Sequence, residues 1–306
     1  MFKKILVANR SEIAIRVFRA ARELRIPSVG IYSAEDRLTL HRFNTRESYR
    51  IGEGKGPIEA YLDMDGIIRI AKQSGADAIH PGYGFLSENP DFARLCSESG
   101  ITFIGPSPEI MRRLGNKVEA RALAIKADVP VMPATEPLPH DGAEITRLAE
   151  SIGYPLMLKA SWGGGGRGMR VIEDESGLLD RVAAARREAQ AAFGNDEVYL
   201  EKLVGNARHV EVQIMGDSHG QVVHLFERDC TVQRRHQKIV ERAPAPYLSE
   251  QQRDEITSAA VRLAQSVRYC NAGTVELLQD VDTGQFYFIE VNPRIQVELT
   301  VTEQIT

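Results

Sequence analysis

Through the first third of the chain, short apolar runs alternate with apolar residues at helical spacing. Residues 5–8, Ile-Leu-Val-Ala, form the continuous apolar run that a strand buried on both faces requires. Residues 12–24 follow with Ile13, Val17, Ala20, Ala21 and Leu24 on one helical face. Pro27 stops that helix, and residues 28–32 read as a second strand, completing a βαβ unit. The pattern continues as helix 66–73, strand 78–80, helix 90–98, strand 101–104 and helix 108–114. Such alternation predicts a parallel-sheet, Rossmann-like α/β domain over residues 1–115. Its first turn, Asn9-Arg10-Ser11-Glu12, has no glycine fingerprint, so dinucleotide binding is unsupported. The loop at 80–89, His-Pro-Gly-Tyr-Gly-Phe-Leu-Ser-Glu-Asn, follows the carboxyl end of a strand. Open sheets bind ligands there, although Ser87 or Asn89 could simply cap the next helix.

Past a helix at 116–127, the Pro-rich segment 130–139 marks a sub-domain boundary. A small α/β unit is expected next: helix 141–151, two strands joined by a glycine run, helix 175–192 and strand 198–202. The chain then turns strand-rich, with period-two runs at 209–215 and 221–227. Helix 249–267 precedes a final hairpin, 274–279 with 286–291. No internal repeat, low-complexity tract or heptad series interrupts this order.

Composition narrows the possibilities. The 306 residues are 43% hydrophobic and 26% charged, with net charge −4, ordinary values for a soluble protein. They give no reason to expect nucleic acid or an acidic membrane surface as partner. Three widely spaced cysteines argue for a reducing compartment and against a thiolate zinc site. The N-terminal apolar run is too short for a signal peptide, and no stretch approaches membrane-spanning length, so a cytoplasmic location is expected.

Three stretches carry candidate chemistry. Gly163 to Gly166 lie between two short strand-like runs, bracketed by Lys159 and Arg167. Consecutive glycines let backbone N–H groups converge on a phosphate. A loop of this kind acts as a lid, expected to be mobile until nucleotide binds. In the final hairpin, folding symmetrically about Asp282-Thr283-Gly284 sets Glu276 opposite Glu290, with Asn292 on the same face. Opposed like charges among apolar neighbours call for neutralisation, and two carboxylates with an amide oxygen suit Mg²⁺ or Mn²⁺. The adjoining Asn292-Pro-Arg-Ile-Gln-Val-Glu298 presents Arg294, whose fork suits a planar oxyanion, and Glu298, a candidate base. The basic run 228–238 is either a solvated charged surface or an anion site.

Together these residues resemble the ATP-grasp superfamily, and within it biotin carboxylase. The segments that carry the resemblance are "KILVANRSEIAIRVFRAA", "AIHPGYGFLSEN", "FIGPS", "KASWGGGGRGMRV", "YLEKLV", "ARHVEVQI", "FERDCTVQRRHQKIVERAPAP" and "FIEVNPRIQVE", in family order over the whole chain. Trp162, "ATEPLP" and "EVYLEKLV" look most like the biotin carboxylase domain found at the N-terminus of pyruvate carboxylases. The resemblance implies an ATP-grasp fold over 116–306, with a lid sub-domain at about 131–203 and an incomplete last sub-domain at 204–306. It also implies a ligase reaction in which ATP, bicarbonate and biotin give ADP, phosphate and N-carboxybiotin through carboxyphosphate.

By the same resemblance Lys117, Lys159, Gly164, Gly165 and Gly166 hold ATP phosphates. Glu201, Lys202 and Val204 meet the adenine end, where a strand edge offers backbone hydrogen bonds, and Leu203 and Leu278 also bind ATP. His209, Gln233 and His236 line the nucleotide site, and Glu276, Glu290 and Asn292 bind magnesium. Lys238, Arg294 and the Val297 backbone hold bicarbonate, and Glu298 deprotonates it.

Some features depart from the family. Leu299 stands where the family usually has histidine. The family's carboxylase domain continues well beyond position 306, and the biotinylated carrier and carboxyltransferase domains have no counterpart here. Weak biotin-dependent turnover is therefore expected of this chain alone. Another ATP-grasp ligase, or an inactive fragment that pairs with a second polypeptide, are the alternatives. A homo-oligomer is compatible with the sequence.

Overall fold

The structure is a computed structural model and describes residues 1–162, 169–235 and 237–306. The expected phosphate contacts Gly164, Gly165 and Gly166, the expected mobility of their loop, and His236 lie outside the described residues.

The first domain runs β1 (Ile5–Val7), α1 (Ser11–Glu23), β2 (Ser28–Tyr32), α2 (Leu40–Phe43), β3 (Glu47–Arg50), α3 (Met64–Ser74), β4 (Ala78–His80), α4 (Pro90–Glu98), β5 (Thr102–Phe103) and α5 (Pro108–Gly115). Its five strands are all parallel, in the order β3-β2-β1-β4-β5. Strand periodicity divides β1 between two cores. Ile5 and Val7 pack on Ile13, Val17 and Phe18 of α1. Leu6 and Ala8 face the other way, towards Ile67 and Phe92 of α3 and α4. Asn89 caps α4, accepting from the Asp91 and Phe92 N–H groups.

The loop ahead of that cap is tied to β1. The Asn9 amide donates to Pro81 O at 2.7 Å and Tyr83 O at 2.8 Å. Gly82 has φ +66°, and a Cβ there would lie 2.7 Å from the Asn9 amide nitrogen, so only glycine fits.

The second region begins with α6 (Lys117–Lys126) and α7 (Gly142–Ile152), followed by β6 (Leu156–Ala160), β7 (Arg170–Ile172), α8 (Leu178–Phe193) and β8 (Val198–Lys202). These strands form an antiparallel sheet ordered β7-β6-β8. The glycine run therefore joins two paired strands. Leu156, Leu158, Val198 and Leu200 pack on Ile145 and Ala149 of α7 and on Val182 and Ala185 of α8.

The outer edge of β8 is not free. Leu138 N–H donates to Val198 O, Thr135 N–H to Leu200 O, and Lys202 N–H to Pro133 O. Residues 133–138 thus line the outer edge of β8 as far as Lys202.

A third sheet follows, from β9 (Ala207–Gly216), β10 (Val222–Arg234), β11 (Gln237–Arg242), α9 (Glu250–Ser266), β12 (Asn271–Asp280), β13 (Phe286–Asn292) and α10 (Leu299–Glu303). Its order is β11-β10-β9-β12-β13, antiparallel throughout. Ser249 and Gln252 form a capping box at the start of α9. One face is apolar: Val210, Val212, Ile214, Val275, Leu277 and Val291 pack on Ile256, Ala260 and Leu263 of α9 and on Leu114 and Leu123. Alternation sends their neighbours to the opposite face, where the candidate chemistry gathers. Among the described residues no helix is long and apolar enough to cross a membrane.

Candidate active site

Strand register lines up four charged side chains across the polar face of the large sheet. Arg228 on β10 pairs with Glu211 on β9, Glu211 with Glu276 on β12, and Glu276 with Glu290 on β13. The Glu276–Glu290 pair is the one that symmetric folding about the turn predicts, although a bulge between Glu276 and Leu277 shifts the register nearer the turn by one residue. Three glutamates abreast would destabilise the sheet unless cations answered them.

The answer comes from three elements. Arg228 Nε donates to Glu211 Oε1 at 2.6 Å. The Lys238 ammonium, reaching over from β11, contacts Glu211, Glu276 Oε1 at 2.9 Å and Glu298 Oε1 at 2.6 Å. Lys117, at the start of α6, lies 3.0 Å from Glu290 Oε2. His209 Nε2 sits 3.1 Å from Glu276 Oε2, out of line for a hydrogen bond, so the contact acts through charge. The Asn292 amide donates to Glu276 Oε1 at 2.8 Å.

These contacts decide the protonation states. Burial favours the neutral form of Glu276, but His209 and Lys238 hold its carboxyl well below the usual carboxylate range. Burial also opposes the charge on Lys238, yet Glu276, Glu211 and Glu298 prevail and raise its pKa. His209 follows the same balance: burial lowers its pKa, and the adjoining Glu276 more than restores it.

The donor set fits a hard divalent cation. Glu276 and Glu290 are cross-strand partners on one face and Asn292 shares it, hard oxygen donors of the kind magnesium takes, and an ion there would displace the Lys117 and Lys238 ammonium groups from the two carboxylates. His209, Glu211 and Glu276 also bring ligand atoms within 4.8 Å of one another. Lys238 and Arg228 already engage Glu211, however, so that trio is a cation site filled by side chains.

The segment after β13 turns sharply, with Arg294 N–H bonded to Asn292 O at 2.8 Å. Arg294 Nη1 donates to Ile295 O and Nη2 to Asn292 Oδ1, while Nε lies 3.0 Å from Glu88 Oε2 in the 80–89 loop. The first domain thus reaches the site through the 80–89 loop, and its α1 meets α10 through an Arg16–Glu303 ion pair. Glu298 is buried at the start of α10 beside an exposed Val297.

Opposite, the small sheet offers a buried Lys159–Glu201 ion pair. Tyr199 between these regions has its pKa raised, by burial first and then by the charges of Glu201 and Glu290. Lys117 N–H bonds to Ser161 O at 2.8 Å, which fixes the start of α6 against the end of β6. Lys117 therefore stands between the two sheets.

Several of the expected nucleotide-site residues hold partners within the protein. Lys202 turns its ammonium to Gly153 O and Tyr154 O, and the Leu203 N–H donates to Pro155 O. Those donors are spent inside the protein, which leaves Val204 at the end of the covered edge. Gln233 donates to Cys230 O, and Leu278 is half-buried opposite His209 in the β9–β12 register. The basic run splits: Arg234 and Arg235 are exposed, whereas Arg228 is fully buried. Sequence reasoning missed Glu211, Arg228, Gln296, Thr302 and Glu88. A usable signal existed for Glu211, which follows His209 by one strand period.

Known proteins place this arrangement. Residues 1–111 match a family model described as the N-terminal domain of biotin carboxylase. Residues 116–306 match one described as the ATP-binding domain of the carbamoyl-phosphate synthase L chain. A solved biotin carboxylase domain of Hydrogenobacter thermophilus 2-oxoglutarate carboxylase is 47% identical with TM-score 0.95, over 100% of this chain and 67% of that one. The chain belongs to the biotin carboxylase family. That Hydrogenobacter structure is a complex with MgADP, ADP and bicarbonate. A Rhizobium etli pyruvate carboxylase structure is 65% identical with TM-score 0.93, over 100% of this chain and 27% of that one. Bacillus subtilis pyruvate carboxylase is 57% identical over 304 residues, 99% of this chain and 26% of the relative. The chain thus spans about a quarter of the length of the curated pyruvate carboxylases it matches, and it carries the family's α/β fold.

Proposed function

We propose that this chain performs the ATP- and bicarbonate-handling part of biotin carboxylation, as the biotin carboxylase portion of a pyruvate carboxylase-type enzyme. The observation that carries the reading is Lys238, whose single ammonium joins the carboxylate row to the Glu298 carboxylate. Bicarbonate held by Lys238, Arg294 and the Val297 backbone would lie beside Glu298, which takes its proton. The freed oxygen attacks the γ-phosphorus of ATP, giving carboxyphosphate and ADP. Breakdown of carboxyphosphate yields phosphate and the carboxyl group that biotin accepts.

Glu276, Glu290 and Asn292 would hold Mg²⁺ or Mn²⁺, which neutralises charge on the transferring phosphates. Lys117, at the start of α6, and Lys159, on β6, face those phosphates and would exchange their carboxylate partners for them. Glu201, Val204, Leu278, His209 and Gln233 would line the rest of the nucleotide site. Positioning and charge stabilisation account for most of the rate in such chemistry.

On this reading residues 1–115 are the N-terminal domain and 116–306 the ATP-grasp portion; the change of matched family between 111 and 116 supports that division. A biotinylated carrier domain and a carboxyltransferase domain are the partners, as parts of larger chains like the relatives'. The Hydrogenobacter domain is described as a dimer, which supports self-association here. Bicarbonate should stimulate ADP release from MgATP, and free biotin should raise it only weakly. A folded chain that binds no MgATP would overturn the proposal.

A further inference from the structure

We infer that Arg228 is a positioning residue for the general base, setting Glu298 and Lys238 in register from beneath the site. The inference rests on the reading that Glu298 and Lys238 act on bicarbonate. Arg228 is 0% exposed and is the largest fully buried side chain among the described residues. Its guanidinium reaches Glu211 Oε1 at 2.6 Å, Thr302 Oγ1 at 2.7 Å and Gln213 Oε1 at 3.0 Å. Longer contacts run to Thr274 Oγ1 at 3.4 Å and Gln296 Oε1 at 3.5 Å.

Two of these partners lie on either side of Glu298 in sequence: Gln296 before it and Thr302, in α10, after it. One guanidinium therefore pins both ends of the segment that presents the base. The same group holds Glu211 Oε1, leaving Oε2 to face Lys238. Were Glu211 released, a second unanswered oxygen would compete for the Lys238 ammonium and draw it from Glu298. A planar fork with five donors can serve these separate acceptors at once, which an ammonium cannot. Arg228 meets neither of the proposed substrates, so its effect passes through Glu298 and Lys238.

The experiment compares Arg228→Met, Arg228→Lys and Thr302→Val with the parent chain. The readouts are bicarbonate-dependent ADP release and backbone hydrogen exchange over residues 294–302. Arg228→Met should lower kcat about 100-fold, the scale of a misplaced catalytic group, with the KM for MgATP changed less than about threefold. Arg228→Lys should recover part of kcat by keeping the charge beside Glu211. Thr302→Val, close in shape and clear of the active residues, should lower kcat about tenfold and quicken exchange only at 294–302.

If Arg228→Met does not fold, Thr302→Val decides through the same two readouts. Unchanged exchange at 294–302 in the folded variants overturns the inference, as does a loss of kcat matched by an equal loss of MgATP affinity. If the parent shows no bicarbonate stimulation, the functional reading fails, and the exchange result alone decides whether Arg228 fixes this segment.

Discussion

The two sheets that face the proposed nucleotide hold charge in different ways. At the large sheet Glu211, Glu276 and Glu298 are interlocked through Lys238, with Arg228 on Glu211 and His209 beside Glu276, so no member can leave without unbalancing others. On the small sheet Lys159 and Glu201 answer only each other among the described residues. A network of buried charges fixes geometry at a high cost for any single loss, whereas an isolated pair can open and re-form around a ligand. The large sheet is thus suited to place reacting groups and the small one to grip and release.

Breaking the network should cost most. Lys238→Met leaves Glu211, Glu276 and Glu298 without their shared ammonium, and unfolding in denaturant should show a loss of about 3–5 kcal/mol. Bicarbonate-dependent ADP release should fall at least about 100-fold. Adding Glu211→Gln should return part of the stability and none of the activity, a coupling that a double-mutant cycle measures.

Lys159→Met should do less on the small sheet. Only Glu201 is left behind, and the expected loss is about 2 kcal/mol, the scale of one hydrogen bond to a charged group. The KM for MgATP should rise about tenfold while bicarbonate dependence persists. Equal stability losses at Lys159 and Lys238 would erase the proposed contrast.

The parallel sheet supplies the smallest effect. Burial pushes the His80 pKa down to about 4, and no charged partner supports the ring. As pH falls below the ordinary imidazole range, the unfolded chain takes up this proton first. The fold therefore loses stability between about pH 6.5 and pH 4. His80→Asn should remove about 1–2 kcal/mol of that dependence, discounted for the ring's partial exposure, in unfolding curves compared across pH.

Much of this was legible in the sequence where interactions are local. Glu276 and Glu290 could be paired because one short turn brings their strands together, with a bulge beside Glu276 absorbing the one-residue difference. The α/β alternation was equally plain, since β1 carries apolar residues on both faces. The Glu211–Glu276 pairing was not legible, because β9 and β12 meet across two intervening strands and a helix. Arg228 was hidden inside a basic run whose other members, Arg234 and Arg235, face solvent. The polar edge strand Glu47–Arg50 has no apolar period to betray it. The lining of the outer edge of β8 by residues 133–138 was not legible, because strand periodicity does not encode that contact.

The central claim is that a bicarbonate oxygen, freed by Glu298, attacks the γ-phosphorus. Supplying bicarbonate labelled with heavy oxygen and analysing the released phosphate by mass spectrometry tests it directly. The account predicts that label passes from bicarbonate into phosphate, and that Glu298→Gln abolishes the transfer while MgATP still binds. Phosphate whose one newly acquired oxygen comes from solvent water would contradict it.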